Sequence, residues 1–148
     1  MSTAFVSLMQ INSDDSESPV NRFERVIKDL SEIAQGKDDR KPDLIMLPEL
    51  WHGGAFNIDL SVSLATTFPG PISEQICDIA ATNEVWIHAG SFVEKINGSL
   101  FNTSLLVDSQ GEISATYKKI HLFGFSEGES KQLTHGQDLV CVVTPLGM

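Results

Sequence analysis

The sequence is poor in positive charge. Its 148 residues include 10 lysines and arginines against 20 aspartates and glutamates, which gives a formal net charge of −10. Nucleic acids and anionic membranes repel such a surface, so neither is expected to be the main partner. The acidic balance does not by itself indicate a cationic substrate.

Cysteine and long apolar runs are also scarce. Cys77 and Cys141 are too few for a disulfide framework, and no Cys/His spacing indicates a structural metal. No apolar run approaches the ~20 residues that span a bilayer. Met1–Gln10 lacks the basic region and the cleavage site of a signal peptide. These absences predict a soluble protein of the cytoplasm.

The first part of the chain has the pattern of an α/β protein. Hydrophobic residues make up 41% of the sequence, enough for a core, and the length alone predicts one domain. The apolar segment Ala4–Gln10 predicts a buried strand. Ser18 and Pro19 predict the start of a helix with one apolar stripe, and Gly36 is its predicted C-terminal stop. The short run Asp43–Leu47 is typical of a strand buried on both faces.

The later part of the chain adds hairpins, so the predicted sheet is mixed rather than purely parallel. Residues Trp51–Pro69 are expected to be irregular, and Pro71–Asn83 to form a second helix. The pair Asn97-Gly98 is a strong hairpin signal. Four strands are predicted in this part: Val85–Glu94, Phe101–Asp108, Ile113–Lys118 and Leu139–Thr144.

Two places along this pattern carry groups suited to catalysis. Pro48-Glu49 directly follows the buried run Leu44–Leu47, where α/β sheets bind ligands, and a carboxylate there could act as a general base. The alternative is an ordinary loop acid. Lys118 and Lys119 end a strand, so one should face solvent and the other the sheet. A lysine in a cleft could stabilise an oxyanion; the alternative is a solvated pair.

A third candidate is the acid pair Glu127 and Glu129, in a glycine-rich loop after the lysines. A second carboxylate there could orient a lysine through a charge-assisted hydrogen bond. The segment is short and acidic, so an ordinary solvated loop is the alternative.

Taken together, these features resemble the nitrilase, or carbon–nitrogen hydrolase, superfamily, with similarity to its omega-amidase and aliphatic-amidase members. The resemblance runs in order along essentially the whole chain. The segments that carry it are DLIMLPELW, FPGPISEQICDIAATNEVWIHAGSFVE, FNTSLLVDSQGEISATYKKIHLF and ESKQLTHGQDLVCVVTPLGM.

The resemblance implies a Glu–Lys–Cys triad and hydrolysis of an amide or nitrile through a thioester. By motif position Glu49 matches the general base and Lys119 the lysine, while Glu129 matches the family's second glutamate, with Glu127 as the alternative. The family's downstream Pro-Gly is His135-Gly136 here. The mechanism needs no metal or organic cofactor, and full-length relatives imply a homodimer or higher oligomer.

The resemblance also implies that the nucleophile lies outside this sequence. The family's cysteine follows the TPLG region, whereas Cys77 and Cys141 occupy positions expected to be buried in the core. Residues 1–148 are then the N-terminal part of a single αββα-sandwich domain. The C-terminal half is absent, and the chain alone is expected to be inactive. The alternative is a truncated, non-catalytic subunit or interaction module of the same fold.

Substrate contacts are expected from the loop after Glu49. Its Trp51, His52 and Phe56 are predicted to line the entrance of the site. The alternative for Trp51 and Phe56 is that they simply cover the sheet. His88 lies within a predicted strand and is expected to be a core histidine. A small-molecule amide is favoured over a nitrile, because amide hydrolysis is the commoner activity in the superfamily.

Overall fold

The computed structural model describes residues 3–14, 16–36, 40–54, 56–124 and 127–147. Residues 37–39, shortly after the predicted end of the first helix at Gly36, lie outside this set. Nine elements follow one another along the described parts of the chain: β1 (Val6–Leu8), α1 (Pro19–Gln35), β2 (Leu44–Met46), α2 (Ile58–Ser63), α3 (Pro71–Asn83), β3 (Trp86–Ile96), β4 (Ser99–Val107), β5 (Ile113–Lys118) and α4 (Glu129–Gln132).

The strands form one mixed sheet in the order β1-β2-β3-β4-β5. The first three strands are parallel, while β4 and β5 join as antiparallel neighbours. The predicted hairpin at Asn97-Gly98 is confirmed, because both residues have positive φ, 50° and 86°, as a type I′ turn requires. The α/β class and the mixed sheet predicted from the sequence are therefore confirmed.

Helices α1 and α3 form the layer that covers one face of the sheet. The Ser18 hydroxyl accepts a hydrogen bond from the Asn21 amide, and Gly36 follows the last helical residue, as predicted. The apolar stripe of α1 buries Val26 and Leu30, with Ile76 of α3 among their neighbours in the main core. Within the described ranges, no helix combines the length and apolar character needed to cross a bilayer.

Two predicted strands differ from the structure. The first is reduced to Val6–Leu8 and is exposed rather than buried, with Leu8 76% exposed, because β1 lies at the sheet edge. The predicted strand Leu139–Thr144 has no regular secondary structure, and Thr144 alone of these residues forms an isolated bridge. Leu139 is 90% exposed. Alternating apolar residues favour a strand, but a strand also needs a partner for its backbone groups.

The segment predicted as irregular contains a short helix, α2. Asn57 caps it by accepting a hydrogen bond from the Leu60 amide at 3.1 Å. Apolar residues of this region pack with Leu50, Val93 and Leu133 in a second, smaller core cluster. This cluster supports the loop that follows β2.

The face of the sheet opposite α1 and α3, termed the open face, holds the candidate site. Leu105 and Val107 of β4 point into the main core, so Ser104 and Leu106 alternate onto the open face. There they line a cavity with His88 and Tyr117. These side chains are half-buried, so the open face carries a mixture of polar and apolar groups.

Candidate active site

Glu49 is held by a tight turn after β2. Leu50, the next residue, has a φ of +46°, and its amide donates a hydrogen bond to the Ser91 hydroxyl at 3.2 Å. The pairing of β3 with β4 is irregular between His88 and Ser91, and this interval contains Gly90. A Cβ atom at Gly90 would lie 2.0 Å from the Pro48 carbonyl oxygen. The absence of a side chain there lets the turn that carries Glu49 approach β3.

Lys119 follows β5 and reaches across the open face to Glu49. Its Nζ atom lies 2.7 Å from Glu49 Oε1 and 2.7 Å from Glu129 Oε2. Its backbone amide donates to the Asn102 carbonyl at 2.8 Å. Lys118 points away and places its Nζ 5.3 Å from the centroid of the Phe101 ring. The two lysines therefore separate as strand alternation predicts.

Of the two candidate acids in the following loop, Glu129 contacts Lys119. Its side chain is only 6% exposed, and its Oε2 also accepts a hydrogen bond from the Phe123 amide at 2.8 Å. Glu127 is exposed, and its backbone carbonyl accepts a hydrogen bond from the Ser130 hydroxyl. Glu49, Lys119 and Glu129 are thus brought together from three separate segments.

Sequence reasoning missed Asn102, the fourth member of the cluster. It lies on β4, is 2% exposed, and donates from Nδ2 to both Glu49 Oε1 at 2.8 Å and Glu129 Oε1 at 2.5 Å. With Lys119 it closes a ring of four hydrogen bonds around the two carboxylates. The signal that could have found it is an amide side chain within a strand that is otherwise largely apolar.

The ring holds two carboxylates and one ammonium group, so its formal charge is −1. Burial alone would lower the pKa of Lys119, but hydrogen bonds to Glu129 and Glu49 outweigh it and raise that pKa. Burial alone would raise the pKa of Glu129. Hydrogen bonds from Lys119, the Phe123 amide and Asn102 prevail, so that pKa is lowered. With these two pKa shifts, both Lys119 and Glu129 are charged near neutral pH.

Two cavities adjoin the ring. One, of about 180 Å³, extends along the open face and is lined by polar groups that include His88, Ser104 and Tyr117, together with Glu49 and Lys119. Burial lowers the pKa of His88, which is therefore neutral at pH 7. The second cavity, of about 160 Å³, lies on the side of Phe56 and Phe123. Through these two cavities a small ligand can reach the ring.

The residues predicted to line the entrance divide between two regions. Phe56 is 97% exposed and lines the smaller cavity beside Glu49. Trp51 is instead 1% exposed, stacks on Phe23, and donates from its indole nitrogen to the Ala89 carbonyl at 3.0 Å. Its expected place at the entrance is therefore corrected: it belongs to the core, because its ring is packed and its single donor is satisfied.

His52 also lies away from the ring. It lines a groove of about 660 Å³ between α1 and α3, and burial followed by the charge of Arg22 lowers its pKa. Arg22 is fully buried and donates to the His52 carbonyl at 3.0 Å and to the Asp14 carbonyl at 2.5 Å. It therefore joins the loop before α1 to the loop that carries Glu49.

Neither cysteine lines either cavity beside Glu49. Cys77 is partly buried on α3, and burial, followed by the nearby carboxylates, raises the pKa of its thiol. Cys141 was expected in the core, but it is exposed because the segment that carries it is not paired into the sheet. A raised pKa makes Cys77 a poor nucleophile at neutral pH.

The geometry can be compared with known proteins. The profile of the carbon–nitrogen hydrolase family matches residues 5–147. A 2-oxoglutaramate amidase from Paenarthrobacter nicotinovorans is 35% identical over 137 residues, covering 90% of this chain and 45% of the relative. A deaminated glutathione amidase from Dictyostelium discoideum is 39% identical over 89 residues, covering 53% of this chain and 31% of the relative. The chain therefore spans half or less of the length of both relatives.

Solved structures agree with the sequence comparisons. A carbon–nitrogen hydrolase superfamily protein from Xanthomonas campestris, solved with an arsenic adduct in its active site, superposes with a TM-score of 0.81 at 25% identity. The match covers 98% of this chain and 51% of that protein. The family profile covers nearly the whole sequence, and the fold agrees with it, so this chain belongs to the carbon–nitrogen hydrolase family.

Proposed function

We propose that the protein hydrolyses a small-molecule amide by Glu–Lys–Cys covalent catalysis. The single observation that carries this proposal is the position of Lys119 Nζ, 2.7 Å from both Glu49 and Glu129 and at the edge of two cavities. A carboxylate beside a fixed ammonium group supplies the two elements that acyl transfer needs, a proton acceptor and a charge that stabilises an oxyanion.

Glu49 is the proposed general base, and its Oε2 is the atom that takes the proton. Lys119 and Asn102 both donate to Oε1, and among the described residues none donates to Oε2. The glutamate removes the proton from a cysteine thiol, and the thiolate attacks the amide carbon. Glu49 passes that proton to the leaving nitrogen, so that ammonia or an amine departs and the carboxylate is restored. Water then hydrolyses the thioester, with Glu49 again as the base.

Lys119 is the proposed stabiliser of the tetrahedral oxyanion. The raised pKa of its ammonium group keeps it charged at neutral pH, which suits this role. Glu129 orients it: this buried carboxylate is itself fixed by the Phe123 amide. In this proposal the Glu49 carboxylate takes part in the proton transfer, and the Glu129 carboxylate positions the lysine.

The nucleophilic cysteine is proposed to come from a part of the domain that these residues do not include. Two features support this: the matches cover only 45% and 31% of the two relatives described above, and neither Cys77 nor Cys141 lines the cavities at Glu49. Residues 1–148 are then the N-terminal part of one domain, and the chain alone is inactive. Downstream coding sequence should contain a cysteine soon after Met148.

An amide is favoured over a nitrile as the substrate. Both relatives compared above have amidase names, one for 2-oxoglutaramate and one for deaminated glutathione. The Phe56 and Phe123 rings beside Glu49 offer apolar contact to the acyl chain of a small amide. We also propose a cytoplasmic location, which two unpaired cysteines support.

The test is ammonia release from a panel of aliphatic and ω-amides by the whole gene product that contains these residues, beside the 148-residue chain. The proposal expects turnover by the former alone, and loss of turnover in the Glu49→Gln variant. Release at the wild-type rate by Glu49→Gln would overturn it. A natural product of about 16 kDa in cell extract, the mass of these 148 residues, would instead favour a non-catalytic subunit.

A further inference from the structure

We propose that Asn102 is a positioning residue that fixes the two glutamates around Lys119 and selects which oxygen of Glu49 acts as the base. This inference rests on the proposed function. It is carried by one contact pattern: a single amide nitrogen donates to Glu49 Oε1 at 2.8 Å and to Glu129 Oε1 at 2.5 Å.

The group at this place has to be uncharged and has to donate two hydrogen bonds. Ionised carboxylates accept hydrogen bonds but cannot donate them, so two that converge need a shared donor between them. Lys119 supplies one shared donor, from Nζ to both glutamates. A second cation would cancel the remaining negative charge and compete with Lys119. The NH₂ group of Asn102 has two hydrogens and no charge, so it closes the ring and leaves Lys119 as its one ammonium group.

Asn102 is itself rigidly placed. Asn102 pairs with Val93 where β3 and β4 run side by side, and its backbone carbonyl accepts a hydrogen bond from the Lys119 amide at 2.8 Å. The side chain is 2% exposed, so it has no water-facing alternative. One residue therefore fixes the backbone of the lysine and the carboxylates that the lysine contacts.

The consequence for Glu49 is directional. Its carboxylate is about half exposed and could otherwise rotate. Two donors converge on Oε1, one from Lys119 and one from Asn102, so rotation would break both hydrogen bonds. Oε2 is left as the oxygen that can accept a proton. Loss of Asn102 would remove one of the two restraints without touching the atoms that react.

The decisive variant is Asn102→Leu, which keeps the approximate size and removes both donors. In the whole gene product we expect kcat to fall on the order of 10²-fold, as for a misplaced catalytic group, with KM little changed. A hydrogen bond to a carboxylate favours its ionised form, so its loss also moves the acid limb of the pH–kcat profile to higher pH.

The matched control is Thr103→Val. Thr103 is the adjacent residue on β4, is equally buried, and also donates to a carboxylate, that of Glu94, outside the ring. The Thr103→Val variant should be less stable than wild type, but the acid limb of its pH–kcat profile should not move. An equal shift of the acid limb in both variants, or a wild-type profile in Asn102→Leu, would overturn the proposal.

A second variant and a second measurement keep the proposal testable. If Asn102→Leu does not fold, Asn102→Asp preserves the shape; its activity should be low at neutral pH and recover partly as the new carboxyl gains a proton. Wild-type activity at neutral pH would overturn the proposal. The pKa of Glu129, measured by carbon-13 NMR in the whole gene product, should rise in Asn102→Leu. That readout stays valid even if no amide is turned over, which separates the two failures.

Discussion

Lys119 Nζ lies 2.7 Å from Glu49 Oε1, although 70 residues separate the two along the chain. Lys119 follows the antiparallel edge strand β5, and Glu49 lies just after the interior parallel strand β2. The contact therefore depends on the correct pairing of β2, β3, β4 and β5. It also gives the candidate site its defining charge arrangement.

Removal of the proposed base or of the proposed oxyanion stabiliser should each slow acyl transfer. In the whole gene product, Glu49→Gln should lower kcat by about 10²–10⁴-fold, the usual contribution of a general base. Lys119→Ala should cost about 10²–10³-fold through the lost oxyanion contact. Steady-state ammonia release measures both. Lys118→Ala is the control, because Lys118 points toward Phe101, and a comparable loss in that variant would contradict the assignment to Lys119.

The Lys119–Glu129 pair should make stability depend on pH in a defined direction. Glu129 has a lowered pKa, so its contribution is present above its ordinary pKa and is lost as pH falls through the folded value. Lys119 has a raised pKa, so its contribution is complete below its ordinary pKa and is lost as pH rises through the folded value. The Glu129→Gln variant should therefore be less stable than wild type at neutral pH, and the difference should shrink in acid.

Denaturant unfolding at a series of pH values checks this prediction. Glu127→Gln is the matched control, since Glu127 is exposed in the same loop and Glu129 is the acid that contacts Lys119. A constant stability difference for Glu129→Gln across the acid range would contradict the ionised pair.

Gly90→Ala should destabilise the fold at the base of the Glu49 turn. The φ of +72° costs a side chain about 1–2 kcal/mol. The new Cβ would also meet the Pro48 carbonyl at 2.0 Å, and overpacking adds about 1–3 kcal/mol. Gly98→Ala is the control, because its φ is also positive but no atom lies within 4 Å of the new Cβ. Thermal melts of equal midpoint for the two variants would rule out the close approach as the cause.

Arg22→Met should destabilise the chain, because a fully buried guanidinium group loses its part-buried hydrogen bonds to the carbonyls of His52, Asp14 and Glu17. A carbonyl left without a donor costs up to about 1–3 kcal/mol where it is shielded from water. Arg25→Met, a partly exposed neighbour that also pairs with Glu17, should cost no more than about 1 kcal/mol. Urea unfolding compares the two variants. Equal losses would show that the hydrogen bonds from Arg22 to these carbonyls contribute little.

The sequence predicted the elements whose signals are local. The N-cap at Ser18, the helix over Pro71–Asn83 and the Asn97-Gly98 turn are all present, because caps, proline and turn residues act over a few positions. The three segments that meet at Lys119 were also identified. Their catalytic roles stay predictions.

The features that sequence reasoning missed depend on long-range placement. Alternation could not tell that β1 lies at the sheet edge, nor that the segment around Cys141 is not paired into the sheet that the described residues form. Trp51 is of a residue type that is common in binding sites. Packing against Phe23 and Phe92 decides to which side of the sheet it turns. Asn102 acquires its role only when Glu49 and Glu129 converge on it.

The sheet topology also has a consequence for the order of folding. The strand that carries Asn102 and the strand that precedes Lys119 are joined by a short turn, so they can pair early at a small cost in loop entropy. Glu49 arrives only when β2 docks on β3 across a long intervening segment, a slower event with higher contact order. The bond between Glu49 and Lys119 should therefore be among the last native contacts to form, and its appearance would report completion of the sheet.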